Sequence, residues 1–182
     1  MKPAAQGRSH EPQISIVIAA KNEARNLERI LPRLSWADEI VIVDGHSVDG
    51  TVEVARRLAP HAKIVRQTRR GRGNALACGL DAASGDIIVT FDADGNADLA
   101  TAALLLAELV DGADFARGGG SCCAFWTDLV AHFGLPSPQT TLADSGTTIW
   151  GDGAEVADII GARIHAVGLR SVELADLAER IA

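Results

Sequence analysis

Asp92 and Asp94, two carboxylates separated by the single small residue Ala93, are the residues in this chain best suited to chemistry. They close an apolar, mostly β-branched run, 87–91, that follows a Gly-Asp turn, so the acids stand at the carboxyl end of a buried strand. Ligands of open parallel sheets bind at that end. If the backbone stays extended through Ala93, both side chains point to one face and can converge on one divalent cation. Hard oxygen ligands suit Mg2+ or Mn2+, and magnesium keeps several waters while bridging to substrate phosphates. The plainer alternative is a solvated Asp-rich turn. A second polar group, Arg66, Arg69, Arg70 and Arg72, fits either a phosphate-bearing ligand or a solvated basic face.

The elements that must hold these residues follow from the apolar periodicity. Ile14–Ala20 reads as a buried strand ending in Lys21-Asn22-Glu23, with Asn22 as the N-cap of a helix whose Leu27, Ile30 and Leu31 share a face. A second strand, 39–43, ends in Asp44-Gly45-His46-Ser47, and Ser47 or Asp49 caps a helix through Val52, Val54, Ala55 and Leu58. A short strand at 62–65, a helix at 74–83 and the strand at 86–91 complete the pattern. Beyond it come a helix at 98–110 with Leu99, Ala103, Leu106 and Val110 on its apolar side, then strands at 113–117 and 172–174. Strand and helix alternate with short links, which predicts an α/β fold with right-handed crossovers. Three strand ends, at Lys21 to Glu23, at Asp44 and at Asp92 to Asp94, then face one crevice.

Composition narrows the function classes. With 182 residues, 47% hydrophobic content and 18 glycines, the chain has enough material for one compact domain, 13–182, behind a loose polar tail, 1–12. A net charge of -7 argues against a nucleic-acid partner. Its distribution is uneven: residues 1–90 hold 13 Lys/Arg against 10 Asp/Glu, and residues 91–182 hold 4 against 14. Three cysteines, two of them adjacent, build neither a disulfide framework nor a zinc spacing. No apolar run reaches transmembrane length, and the first residues lack the apolar centre of a signal peptide, so the expected location is the cytoplasm. Neither Gly-x-Gly-x-x-Gly nor a Walker-type lysine loop is present, which argues against dinucleotide and P-loop enzymes.

Four motifs in order, ISIVIAAKNE (14–23), EIVIVDGHSVDGT (39–51), GRGNAL (71–76) and SGDIIVTFDADG (84–95), resemble the nucleotide-sugar half of family 2 glycosyltransferases. Within that family they most resemble dolichyl- or polyprenyl-phosphate sugar synthases. The resemblance implies the GT-A fold, a Rossmann-like three-layer α/β/α arrangement with a mainly parallel sheet. It also implies a nucleotide-sugar half, 13–95, and an acceptor half, 96–182. Ala19, Lys21 and Glu23 would line the base and ribose pocket, Asp44 would hydrogen-bond the nucleotide, and Arg72 and Arg117 would approach the phosphates. Asp92, with Ala93 beside it, would meet the ribose or the metal, and Asp94 the metal itself. Lys21 replaces a tyrosine frequent in the family, and Gly45 replaces a second aspartate. Between Arg117 and Cys123 the chain lacks a few dozen residues, including amphipathic helices, that the family normally carries.

The expected activity is metal-dependent transfer, inverting in stereochemical course, from a UDP- or GDP-sugar to polyprenyl phosphate or a smaller soluble acceptor. A hydroxyl acceptor would need a general base, for which Asp152 and Glu155 are the candidates, whereas a polyprenyl phosphate arrives as an anion. Membrane contact would be peripheral at most. Two other classes remain open: a nucleotide-sugar-binding protein without transfer, and a nucleotidyltransferase.

Overall fold

The computed structural model describes residues 11–94, 99–110, 112–113, 115–117, 123–126 and 171–173. Strands are β1 (Ile14–Ala20), β2 (Glu39–Asp44), β3 (Lys63–Arg66), β4 (Ile87–Asp92), β5 (Phe115–Arg117), β6 (Cys123–Trp126) and β7 (Ser171–Glu173). Helices are α1 (Ala24–Ile30), α2 (Thr51–Leu58), α3 (Arg72–Ala82) and α4 (Leu99–Val110), with a 3-10 turn at Leu31–Arg33. The strands form one sheet in the order β3-β2-β1-β4-β6-β5-β7. β1 to β4 are mutually parallel, β6 runs antiparallel to β4 and β5, and β7 is parallel to β5.

Alternation along the central strands builds two cores. Ile16, Ile18 and Ala20 of β1 pack with Leu27 of α1, Ala55 of α2 and Leu105 and Leu109 of α4. Val17, Val41 and Val43 point the other way, onto Ala75, Leu76 and Leu80 of α3. Both faces are therefore covered, which explains why these strands read as continuous apolar runs. α3 lies close to the sheet because it is built of small residues, and a methyl group at Gly79 would run into Val17 Cγ1.

At the foot of the sheet, Glu39 accepts hydrogen bonds from the Ser15 hydroxyl, the Ser84 N–H (2.7 Å) and the Ser84 hydroxyl (2.9 Å), and forms an ion pair with Lys63. Burial alone would raise its pKa; Lys63, Ser15 and Ser84 more than offset that and hold it down from 4.5 to about 2.

Several boundaries and caps differ from the sequence expectation. Glu23, not Asn22, is the N-cap residue of α1, and Asn22 adopts a left-handed conformation (φ 59°) with its Oδ1 accepting the Val48 N–H at 2.9 Å. Gly50 (φ 87°) is the N-cap residue of α2. Ser47 instead accepts the Asn22 N–H at 2.9 Å. Asp49 accepts the first N–H of both helices, from Ala24 at 3.2 Å and Thr51 at 3.1 Å. The Thr51 hydroxyl bond outweighs the opposing effect of desolvation, and with these N–H groups it holds the Asp49 carboxyl below its ordinary range.

On α4, among the residues whose burial is described, Ala102, Leu105 and Leu109 are buried, Leu106 is half-buried against the same core and Ala103 is exposed, so Ala103 does not lie on the buried side as expected. The chain is Leu- and Ala-rich nearly all round this helix, and composition alone does not pick the face. Cys123–Trp126 is an antiparallel strand between β4 and β5. Among the described residues no helix is long and apolar enough to cross a membrane.

Candidate active site

The connection from β3 to β4 crosses the sheet on the α3 face, so β1 has β2 on one side and β4 on the other, and a crevice opens where their carboxyl ends diverge. A cavity of about 1000 Å³ occupies it, lined by Ala19 to Lys21 and Glu23 after β1, Gly45 and His46 after β2, residues 67–72, Ala75, and Asp92 to Asp94. Ala19 and Asp92 are register partners, which brings the first and fourth motifs side by side.

The strand stops at Asp92, and Ala93 and Asp94 form a turn, so the extended backbone that the two-residue spacing required is not kept. Both carboxylates line the cavity nonetheless, Asp92 largely buried and Asp94 exposed. Arg72, the first residue of α3, donates from Nη2 to Asp92 Oδ2 in a partly buried ion pair. Two carboxylates and a crevice open to water form a hard-oxygen donor set that fits Mg2+ or Mn2+, whose remaining positions waters and phosphates can fill.

Lys21 and Gly45 are coupled by space. A Cβ at Gly45 would lie 2.9 Å from Lys21 Cβ and 3.1 Å from Gln67 Oε1, so the lysine stem occupies room that a side chain at 45 would take. Glu23 lines the cavity and accepts from Asn26 Nδ2 at 2.6 Å. Asp44 is 6% exposed, lies outside the cavity lining, and accepts the Ser47 N–H at 2.9 Å. His46 takes a left-handed backbone (φ 62°). Its Nδ1 accepts from Arg66 Nε at 3.0 Å, which assigns the proton to Nε2 for donation to the Gln67 carbonyl at 3.1 Å. With both ring nitrogens committed, His46 is a loop brace.

Arg117 is exposed on β5 and outside the cavity lining. Asp152 and Glu155 lie outside the described residues. The cavity takes in Arg69 and Arg70 of the basic cluster, and also residues the sequence left without a role: Gln67, Thr68 and Ala75. The arginine run was visible; the buried amides beside it carried no signal beyond an unusual Asn at the start of an apolar helix.

A mainly parallel sheet covered on both faces, with carboxylates and arginines gathered at the β1/β4 switch point, defines an α/β protein whose chemistry sits at the strand ends. The chain belongs to glycosyl transferase family 2, whose model matches residues 15–120. It is 34% identical over 105 residues to an uncharacterised glycosyltransferase of Mycobacterium tuberculosis, covering 58% of this chain and 47% of that protein. It is also 34% identical over 114 residues to the dolichol-phosphate mannosyltransferase of Pyrococcus furiosus, covering 58% of this chain and 32% of that protein. The matched part is thus less than half the length of either relative. Glucosyl-3-phosphoglycerate synthase of Mycobacterium tuberculosis, solved with Mn2+, UDP and glucosyl-3-phosphoglycerate, shares the GT-A fold with a TM-score of 0.65 at 22% identity, covering 90% of this chain and 70% of that one.

Proposed function

We propose that the protein is a glycosyltransferase that binds a UDP- or GDP-sugar with Mg2+ or Mn2+ in the β1/β4 crevice and transfers the sugar with inversion. The observation that carries this reading is the gathering of Asp92, Asp94 and Arg72 around one cavity of about 1000 Å³. In it, Asp92 and Asp94 hold the metal, whose chemistry is to offset charge on the leaving diphosphate. Arg72 supplies a second fixed positive charge for the same purpose, and such preorganised electrostatics are the usual main source of rate. Ala19, Lys21 and Glu23 bound the nucleoside side. Arg117 meets the phosphates only if the donor reaches beyond the present cavity.

The acceptor proposed is small or anionic. Asp152 and Glu155 are the candidate bases for a hydroxyl acceptor, and a phosphate acceptor needs neither. Arg117 and Cys123 are register partners on neighbouring strands, so only five residues join β5 to β6 where relatives would frame a lipid with amphipathic helices. Transfer to polyprenyl phosphate is accordingly slow, because this short link gives a long apolar acceptor no surface there that orients its phosphate. Membrane contact no closer than peripheral and a cytoplasmic setting complete the proposal, and the buried free thiols of Cys78 and Cys123 suit a reducing compartment.

The test is incubation with UDP- and GDP-sugars, manganese and candidate acceptors. Released nucleoside diphosphate with a glycosylated product supports it; released pyrophosphate makes the protein a nucleotidyltransferase, and donor binding without product leaves a binding protein. Turnover of polyprenyl phosphate at about 1 per second or faster overturns the acceptor assignment.

A further inference from the structure

The cavity carries a local charge opposite to that of the chain. Lys21, Arg69, Arg70 and Arg72 line it against Glu23, Asp92 and Asp94, in a protein of net charge -7. Three of those four cations come from one short segment. Like charges so close in sequence repel and spread unless something holds their backbone.

Two buried amide side chains do that. Asn74, 2% exposed, accepts the Arg69 N–H on Oδ1 at 2.8 Å. Gln67, 8% exposed, donates from Nε2 to the Arg69 carbonyl and to the Gly71 carbonyl, the latter at 3.2 Å. Arg69 is thereby pinned at both its N–H and its C=O. Gly71 sits at φ 103°, a conformation that non-glycine residues rarely adopt, and it turns the chain into α3. Burying an amide is costly unless its polar atoms are satisfied. Here the partners are the Arg69 N–H and carbonyl, the Gly71 carbonyl and the Thr68 hydroxyl, all within the segment that carries the arginines.

We propose that Asn74 and Gln67 are positioning residues for recognition of the donor's diphosphate, and that Arg69 and Arg70, together with Arg72, are the groups they aim at it. This deepens the nucleotide-sugar reading and rests on it. A preshaped loop binds more tightly because less backbone must be ordered on binding, and arginine forks match phosphate oxygens in pairs.

The experiment is calorimetric titration of UDP, GDP, uridine and guanosine in the presence of manganese. It compares the natural chain with Asn74→Leu, Asn74→Asp and the double variant Arg69→Gln/Arg70→Gln. Expected is a loss of about tenfold in diphosphate affinity for the double variant and about fivefold for Asn74→Leu. Nucleoside affinity stays constant, and Asn74→Asp, which keeps the acceptor for the Arg69 N–H, restores diphosphate binding. The salt dependence of diphosphate binding becomes shallower in the double variant, a readout that a purely structural brace would not move.

Failure of the natural chain to bind either diphosphate overturns the nucleotide-sugar reading and this one with it. Diphosphate binding that is normal in the double variant, or normal in Asn74→Leu, or equally lost in Asn74→Asp, overturns this inference alone. Should Asn74→Leu fail to fold, the surface double variant decides the arginine assignment, and Gln67→Leu, read by the same diphosphate-to-nucleoside ratio, decides the positioning.

Discussion

Arg72 at the first position of α3 is hydrogen-bonded to Asp92 at the last position of β4, so the guanidinium sits on one of the two carboxylates that suit a metal ion. In this state the positive charge next to Asp92 is the protein's own. A divalent cation on the same carboxylate competes with Arg72 for its charge, and a displaced Arg72 is available to the phosphates.

Arg72→Ala should therefore have two effects of opposite sign. Manganese affinity without nucleotide rises severalfold, because the competing cation is gone, while nucleoside diphosphate affinity falls about tenfold and nucleoside affinity holds. Titration calorimetry on the three ligands measures all of this. Equal losses for diphosphate and nucleoside would return Arg72 to a structural role.

Asp94→Ala is expected to abolish the manganese dependence of donor binding and leave the fold intact. Asp94 is exposed in a turn, so thermal stability should change by no more than about 0.5 kcal/mol. Donor binding that still responds to manganese in this variant would remove Asp94 from the metal site.

Glu39 gives a pH signature far from the active site. Its folded pKa of about 2 lies below the ordinary 4.5, so its contribution to stability is complete above pH 4.5 and disappears as pH falls toward 2. Glu39→Gln should lose about 2 kcal/mol at neutral pH, a figure that allows for screening of half-exposed Lys63. The gap to the natural chain should close between about pH 4.5 and pH 2 in denaturant melts, and a pH-independent gap would refute the ionic origin.

Thr90 offers a gain. It is 2% exposed between β1 and β6, and its Oγ1 has no hydrogen-bond partner among the described residues. Thr90→Val exchanges that buried hydroxyl for a methyl of similar size and should stabilise the fold by about 1 kcal/mol, raising Tm by about 2–4 °C. A lower Tm would show that the hydroxyl is satisfied.

The sequence by itself determined the four central strands and the crevice they share. Parallel strands buried on both faces are apolar at nearly every position, so Ile14–Ala20 and the run at 87–91 are legible without any partner despite Ser15 and Thr90, and the acids after them mark the strand ends. The order of four local motifs was enough to identify the family. Only the tertiary structure decided which polar groups meet. Asn22 turns out to serve Val48, Asp49 to serve two helices, and Arg72 to hold Asp92 twenty residues away. Gln67 and Asn74, inconspicuous in the sequence, brace the arginine loop. Side-chain hydrogen bonds depend on strand order and on the few ångströms between facing elements, and neither leaves a period in the chain. The same is true of α4, where apolar residues surround the helix and the position of the sheet alone selects Ala102, Leu105 and Leu109 for burial.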